Sequence, residues 1–239
     1  MLRTALVLIF AAFAAGFLEI PELYMKEEEL QALYPLDEAA VNNGLCQMPT
    51  DQFQSCQAYF DEALNITNTI QWQQSPKLVL LVQALLRKPD FQNFITVCQA
   101  RQKFYSCMGT NYFMCINRYA LLSRPNANWK NVMTYVKLWE HLDLLCNAGF
   151  ELAEQNWLCI NRVEKVNATA LDVCRKNFEN TLHANSWQHI CSTQLVPAFA
   201  QCNQKVYSTG CGSAIGWFAC EDVRVGYARD CPQFRCNVV

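Results

Sequence analysis

Residues 128–146 read NWKNVMTYVKLWEHLDLLC, and this stretch decides the fold class. Val132, Tyr135, Val136, Trp139, Leu142 and Cys146 recur at three and four, the spacing that gathers side chains on one side of an α-helix. The same spacing extends outward along the chain. Between Pro76 and Pro89, Leu78, Leu81, Val82, Leu85 and Leu86 repeat in this way. Pro76 suits a first helical turn, where its missing N–H costs nothing, and Pro89 suits an end. Asp51 to Leu64 places Phe53, Cys56, Phe60, Ala63 and Leu64 near one side, after Thr50 as a candidate cap. Asn167 or Thr169 is the candidate cap of a helix carrying Leu171, Cys174, Phe178 and Leu182. Glycine and proline number only eight each in 239 residues, few for a β protein with many tight turns. The reading is an all-α fold of about eight helices with no strand.

Fourteen cysteines are distributed along these helices: Cys46, Cys56, Cys98, Cys107, Cys115, Cys146, Cys159, Cys174, Cys191, Cys202, Cys211, Cys220, Cys231 and Cys236. Zinc sites and thioredoxin-like redox sites need close pairs such as C-x-x-C, and none occurs. An even count with wide spacing predicts up to seven disulfides. Connectivity does not follow from spacing. An aromatic ring stands three residues before a cysteine in Phe53/Cys56, Phe104/Cys107, Tyr112/Cys115, Phe199/Cys202 and Trp217/Cys220. Residues i and i+3 share a helical face, so each pair should enter the core together.

The N-terminus supplies the compartment. Arg3 is followed by the apolar run ALVLIFAAFAA, Ala5 to Ala15, and then Gly16. One cation, a short apolar stretch and small residues form the pattern of a secretory signal peptide, assigned here to residues 1–16. The run is shorter than the ~20 residues a bilayer crossing needs, and no later stretch is longer, so membrane insertion is not expected. Asn65-Ile66-Thr67 and Asn167-Ala168-Thr169 are glycosylation sequons. Residues 17–44 form a polar, acidic segment without cysteine, either a docked helix or a loose arm. Its run Glu27, Glu28 and Glu29 reads as a solvated helix face. Residues 45–239 form the bridged helical domain.

Subtracting positions reveals a regularity. Cys56, Cys98, Cys107 and Cys115 match Cys159, Cys202, Cys211 and Cys220 at offsets of 103, 104, 104 and 105. Cys46 and Cys146 match more loosely, at 100. The sequon asparagines differ by 102, and Tyr112-Phe113-Met114-Cys115 resembles Trp217-Phe218-Ala219-Cys220. Gly109 and Gly212 each follow the middle cysteine. The expectation is a duplication, with helical units at 46–125 and 146–225.

No catalytic signature appears. Gly212-Ser213-Ala214-Ile215-Gly216 has its serine in the wrong place for a nucleophile elbow, and Gly210, Gly212 and Gly216 read as a tight helix connection. There is no P-loop and no zinc-protease motif. His183 and His189 are six apart, which does not place them on one helical face. Asp61/Glu62 and Glu221/Asp222 are adjacent and point in different directions on a helix. A formal charge of −2, one lower without Arg3, argues against nucleic acid. No cofactor and no enzyme are expected.

The segment Cys98-Gln-Ala-Arg-Gln-Lys-Phe-Tyr-Ser-Cys107, the stretch Leu145 to Phe150 leading to Trp157-Leu158-Cys159-Ile160, and Cys220-Glu221 followed by Cys231 and Cys236 carry a family likeness. In these features the chain resembles nematode secreted cysteine-rich proteins of the chondroitin proteoglycan 4-like group, over residues 45 to 236. The resemblance implies a helical extracellular domain without catalysis, in matrix or eggshell. Chondroitin attachment needs Ser-Gly, and no serine here precedes a glycine, so a chondroitin-bearing role is not carried over. The expected function is a secreted, non-enzymatic extracellular binding or matrix protein with a protein or glycan partner. A carrier of apolar small molecules in a helical cavity is the alternative, and a hydrolase with a dispersed site ranks last.

Overall fold

The computed structural model of the chain describes residues 18–34, 46–184 and 190–237, so the expected signal peptide at residues 1–16, residues 35–44 of the expected polar segment and His189 lie outside the described residues. Every long element is an α-helix, and the described residues contain no strand. The helices are α1 (Glu27–Leu33), α2 (Thr50–Ala63), α3 (Ser75–Leu86), α4 (Phe91–Met108), α5 (Tyr112–Cys115), α6 (Arg118–Leu122), α7 (Trp129–Asp143), α8 (Phe150–Val166), α9 (Ala168–Ala184), α10 (Val196–Cys211) and α11 (Ser213–Gly226). Eight of them run twelve residues or longer; α1, α5 and α6 carry the count past the eight or so expected. These three are too short for apolar periodicity to announce them.

Most ends follow from local chemistry. Asn128 caps α7 by accepting from Asn131 N at 2.8 Å, and Asp90 caps α4 through Gln92 N at 3.0 Å. Thr50 does not cap α2: it is the first helical residue, behind Pro49, whose φ of −55° leads into a helix. Beyond Asp143 the chain widens into a π-turn, Leu144–Ala148, which carries Cys146.

Eleven of the fifteen α7 residues are buried, which makes α7 the central helix. One side of it enters a large core with α2, α3, α4 and α8, where Trp139 stacks on Phe104 at 3.9 Å and meets the Phe60 edge at 4.9 Å. Trp129 and Met133 enter a second core, formed with α1, α9, α10 and α11 around Leu30, Phe178, Phe199, Val223 and Tyr227. The aromatic–cysteine pairs act as packing units: the rings of Phe53, Phe104, Tyr112 and Phe199 are buried, and Trp217 is half-buried.

Residues 18–34 form a docked strap. Leu18 and Ile20 are fully buried, and Gln83 Nε2 donates to Leu18 O at 2.8 Å. The acidic run is only partly solvated. Glu27 accepts from the backbone of Trp129 and Lys130 at 2.6 and 3.0 Å, so it satisfies free N–H groups at the start of α7. Glu29 is buried, with His183 Nδ1 at 3.1 Å; Glu28 alone is exposed. Periodicity reports which residues are apolar, and it does not see a carboxylate recruited by another helix's N-terminus.

All fourteen cysteines are bonded: Cys46–Cys115, Cys56–Cys107, Cys98–Cys146, Cys159–Cys211, Cys174–Cys202, Cys191–Cys231 and Cys220–Cys236. Their Cα separations, 4.6 to 5.9 Å, lie within disulfide reach. The six cysteines up to Cys146 pair among themselves, as do the eight from Cys159 onward. Cys146, placed by its spacing at the start of a second unit, is bonded to Cys98. Cys56–Cys107 joins α2 to α4 and Cys159–Cys211 joins α8 to α10, the corresponding positions at offsets 103 and 104. The remaining bridges do not correspond.

Candidate functional site

The short helix α5 carries two adjacent exposed apolar side chains beside two buried ones. Gly109, with φ +53°, ends α4 in a conformation that disfavours any other residue, and the chain turns into α5 three residues later. Tyr112 and Cys115, at i and i+3, face inward. Cys115 is fully buried and bonded to Cys46. The Tyr112 hydroxyl donates to Asp143 Oδ1 at 2.7 Å, and Arg101 holds the same oxygen at 2.6 Å. With both inner residues fixed, Phe113 and Met114 point outward and are 62% and 39% exposed. An exposed phenylalanine on a helix anchored at both ends presents apolar surface at little entropic cost.

Phe113 borders a hollow of about 360 Å3 between α5, α7 and the C-terminal end of α11, where Tyr112, Ile116, Val225 and Ala228 form the apolar wall. A second hollow of about 150 Å3 lies alongside, between α6, α7 and the turn after α11, and it is charged. Glu140 and Arg229 line both, so the two hollows form one face.

The charged hollow rests on a buried ion cluster. Lys137 is 3% exposed; its ammonium donates to Gly226 O, lies 3.6 Å from Asp230 and 3.7 Å from Glu140, and stands 4.4 Å from the Tyr227 ring centre. Arg118 pairs with Asp230 and donates to Tyr119 Oη at 3.1 Å. Burial works against the charged Arg118, Asp230 and Tyr119 act the other way, and the net shift is upward. Burial pushes the Glu140 carboxyl up, with Lys137 and Arg229 acting against it. Arg118 Nε and Glu140 Oε2 are buried without a hydrogen-bond partner. Among the described residues Arg229 has only a 3.6 Å contact with Glu140, and about half of its side chain is exposed. Fixed charges thus lie at the base of the hollow, and the half-exposed Arg229 guanidinium, loosely paired with Glu140, lies at its rim.

The other titratable groups lie elsewhere. His141 Nδ1 lies 2.8 Å from Asp222, the kind of pair a general base uses. His141 is 1% exposed, and the backbone of Gly226 packs on its ring so closely that a Cβ there would approach Nε2 to 2.8 Å. Burial lowers the His141 pKa, Asp222 and Glu140 raise it, and the net is upward. Asp222 also accepts from Leu18 N at 3.4 Å, so the pair anchors the strap from inside. Gly210 lies against Val163 and Gly216 against Ser208, which makes the glycine cluster the close crossing of α8, α10 and α11.

Of the residues marked by the sequence, Asn65 is exposed with φ +58°, just past the end of α2. Asn167 is half-buried and ends α8, the helix bonded to α10 as α2 is bonded to α4. Phe113 entered the sequence reading only as part of a repeated tetrapeptide. Arg229 and Glu140 carried no signal at all, since each is an isolated charge in its own segment.

No protein family, curated protein or solved structure matches the chain.

Proposed function

We propose that the protein is exported and acts outside the cell as a non-enzymatic binding or matrix protein, engaging a protein or glycan partner through the face built by α5, α7 and the end of α11. One observation carries the reading: Phe113, 62% exposed, stands on a helix fixed by a buried disulfide and by a Tyr112–Asp143–Arg101 network, beside an apolar hollow. An exposed ring on a rigid element beside a concave apolar wall is a common setting for a binding site.

Seven disulfides favour an oxidising compartment, and no helix among the described residues is long and apolar enough to cross a membrane. The signal pattern of residues 1–16 and the sequons at Asn65 and Asn167 point the same way. The spacing resemblance to the chondroitin proteoglycan 4-like group agrees with an extracellular matrix setting, without a chondroitin chain.

Expression in a secreting cell tests export. The medium should contain a chain lacking residues 1–16, and deglycosylation should reduce its mass. A chain retained inside the cell with residue 1 intact contradicts the reading. For the binding face, Phe113→Asp should abolish retention of the exported protein on the extracellular matrix that holds the unsubstituted protein, while its melting is unchanged. Equal retention of the two would remove the face from the proposal.

A further inference from the structure

We infer that the partner is a protein and that it presents a carboxylate next to an apolar side chain, the apolar group entering the hollow beside Phe113 and the carboxylate meeting Arg229. The inference rests on the binding face proposed above and adds the chemistry of its occupant.

Most charges on this face are already matched, and one is left over. Asp143, beside the apolar hollow, is paired with Arg101, and Tyr112 donates to the same carboxylate oxygen. Asp230 is held by Arg118 and Lys137. Lys137 is enclosed by Gly226 O, Asp230 and Glu140. The charged hollow contains three cations, Arg118, Lys137 and Arg229, against two anions, Glu140 and Asp230, so one positive charge is unmatched. The spare donors are the Arg118 Nε, buried without a partner, and the half-exposed Arg229 guanidinium. A guanidinium with free N–H groups binds a carboxylate through two parallel hydrogen bonds.

The neighbouring hollow sets the rest of the ligand. Its wall of Tyr112, Phe113, Ile116, Val225 and Ala228 offers contact for an aliphatic or aromatic group. Because Glu140 and Arg229 line both hollows, the carboxylate and the apolar group must be adjacent, as on successive side chains of a peptide. An acidic sugar supplies the carboxylate without the apolar neighbour, and it would want several exposed cations where this face has one.

The test uses the full exported protein and three probes: acetyl-Leu-Glu-Leu-amide and its glutamine and lysine counterparts. NMR titration should move the methyl resonances of Ile116, Val225 and Ala228. The glutamate peptide should bind about 10-fold tighter than the glutamine peptide, the range expected of one half-exposed charge-assisted contact. Arg229→Glu should reverse the preference toward the lysine peptide. Arg229→Gln, which adds no like charge beside Glu140, should erase the glutamate preference and melt with the parent. Equal affinities, a lysine preference in the parent, or shifts confined to other residues would overturn the inference. A sulfated disaccharide binding through Arg229 where the peptides fail would overturn the protein partner and leave the binding face standing. Silence from every probe would count against both.

Discussion

Tyr112–Cys115 and Trp217–Cys220 both read aromatic-Phe-x-Cys, 105 residues apart, and in both the cysteine is buried and bonded. Their phenylalanines part company. Phe113 is 62% exposed, whereas Phe218 is 1% exposed and lies so close to Gly149 that a Cβ there would approach its ring to 2.3 Å. The cause is how far each helix continues. α5 stops after four residues, and among the described residues the rings beside Phe113 are Tyr112 at 5.1 Å and Tyr105 at 6.3 Å, which leave most of it exposed. α11 continues for fourteen and is packed along α10 across the single residue Gly212. The same local pattern therefore gives a core ring in one place and a surface ring in the other, and the surface copy is the one available for recognition.

The largest expected effect separates these two rings. Phe218→Ala should cost about 3–5 kcal/mol in denaturant unfolding, the usual range for a buried ring. Phe113→Ala should change stability by less than about 0.5 kcal/mol. Comparable losses at the two positions would abolish the distinction.

Next come the corresponding bridges. Cys56–Cys107 and Cys159–Cys211 close loops of 51 and 52 residues, so their entropic contributions should match. Replacing either pair by alanine should cost about 4 kcal/mol on the loop-entropy account, an upper estimate where other bridges overlap the loop. Losses differing by more than about 2 kcal/mol would show that the two helix pairs are not equivalent in how the chain uses them.

A third difference is pH. The second region shares a buried charge with the strap: Glu19, 4% exposed, has Arg175 at 3.9 Å and no hydrogen bond to either carboxylate oxygen. Burial pushes its pKa up from 4.5 to about 8, against the pull of Arg175 and Arg87. Below about 4.5 the carboxyl is protonated in both folded and unfolded chains and contributes nothing. Between 4.5 and about 8 the unfolded chain ionises while the folded one keeps its proton, so stability is lost as pH rises through that window. Glu19→Gln should remove this slope. It should leave stability at pH 4 nearly unchanged and raise it by something on the order of 3–5 kcal/mol at pH 8. An unaltered slope would mean that the folded chain does not hold the Glu19 proton above its unfolded pKa.

Much of the scaffold is written in short-range pattern. The helices around Leu78–Leu86, Phe53–Leu64 and Val132–Leu142 show their apolar spacing directly, and the ring-plus-cysteine pairs mark residues that enter the core. The path of the strap was not legible, because Glu27 and Glu29 are bound by groups about 100 and 154 residues away. The bridge pattern was not legible either. Pairing depends on which helices cross, so Cys146 joins Cys98 despite its spacing to Cys46. The candidate face was least visible of all. It combines Phe113, Glu140 and Arg229 from three segments, and only packing around α7 brings them together.

The helical scaffold is held by two separate sets of disulfides, one ending at Cys146 and the other beginning at Cys159. Peptide mapping of the purified protein without reductant tests this directly. The expected map has no free thiol and no linked peptides that join a cysteine at or before Cys146 to one at or after Cys159. A bridge spanning that division, or a majority of free thiols, would contradict it.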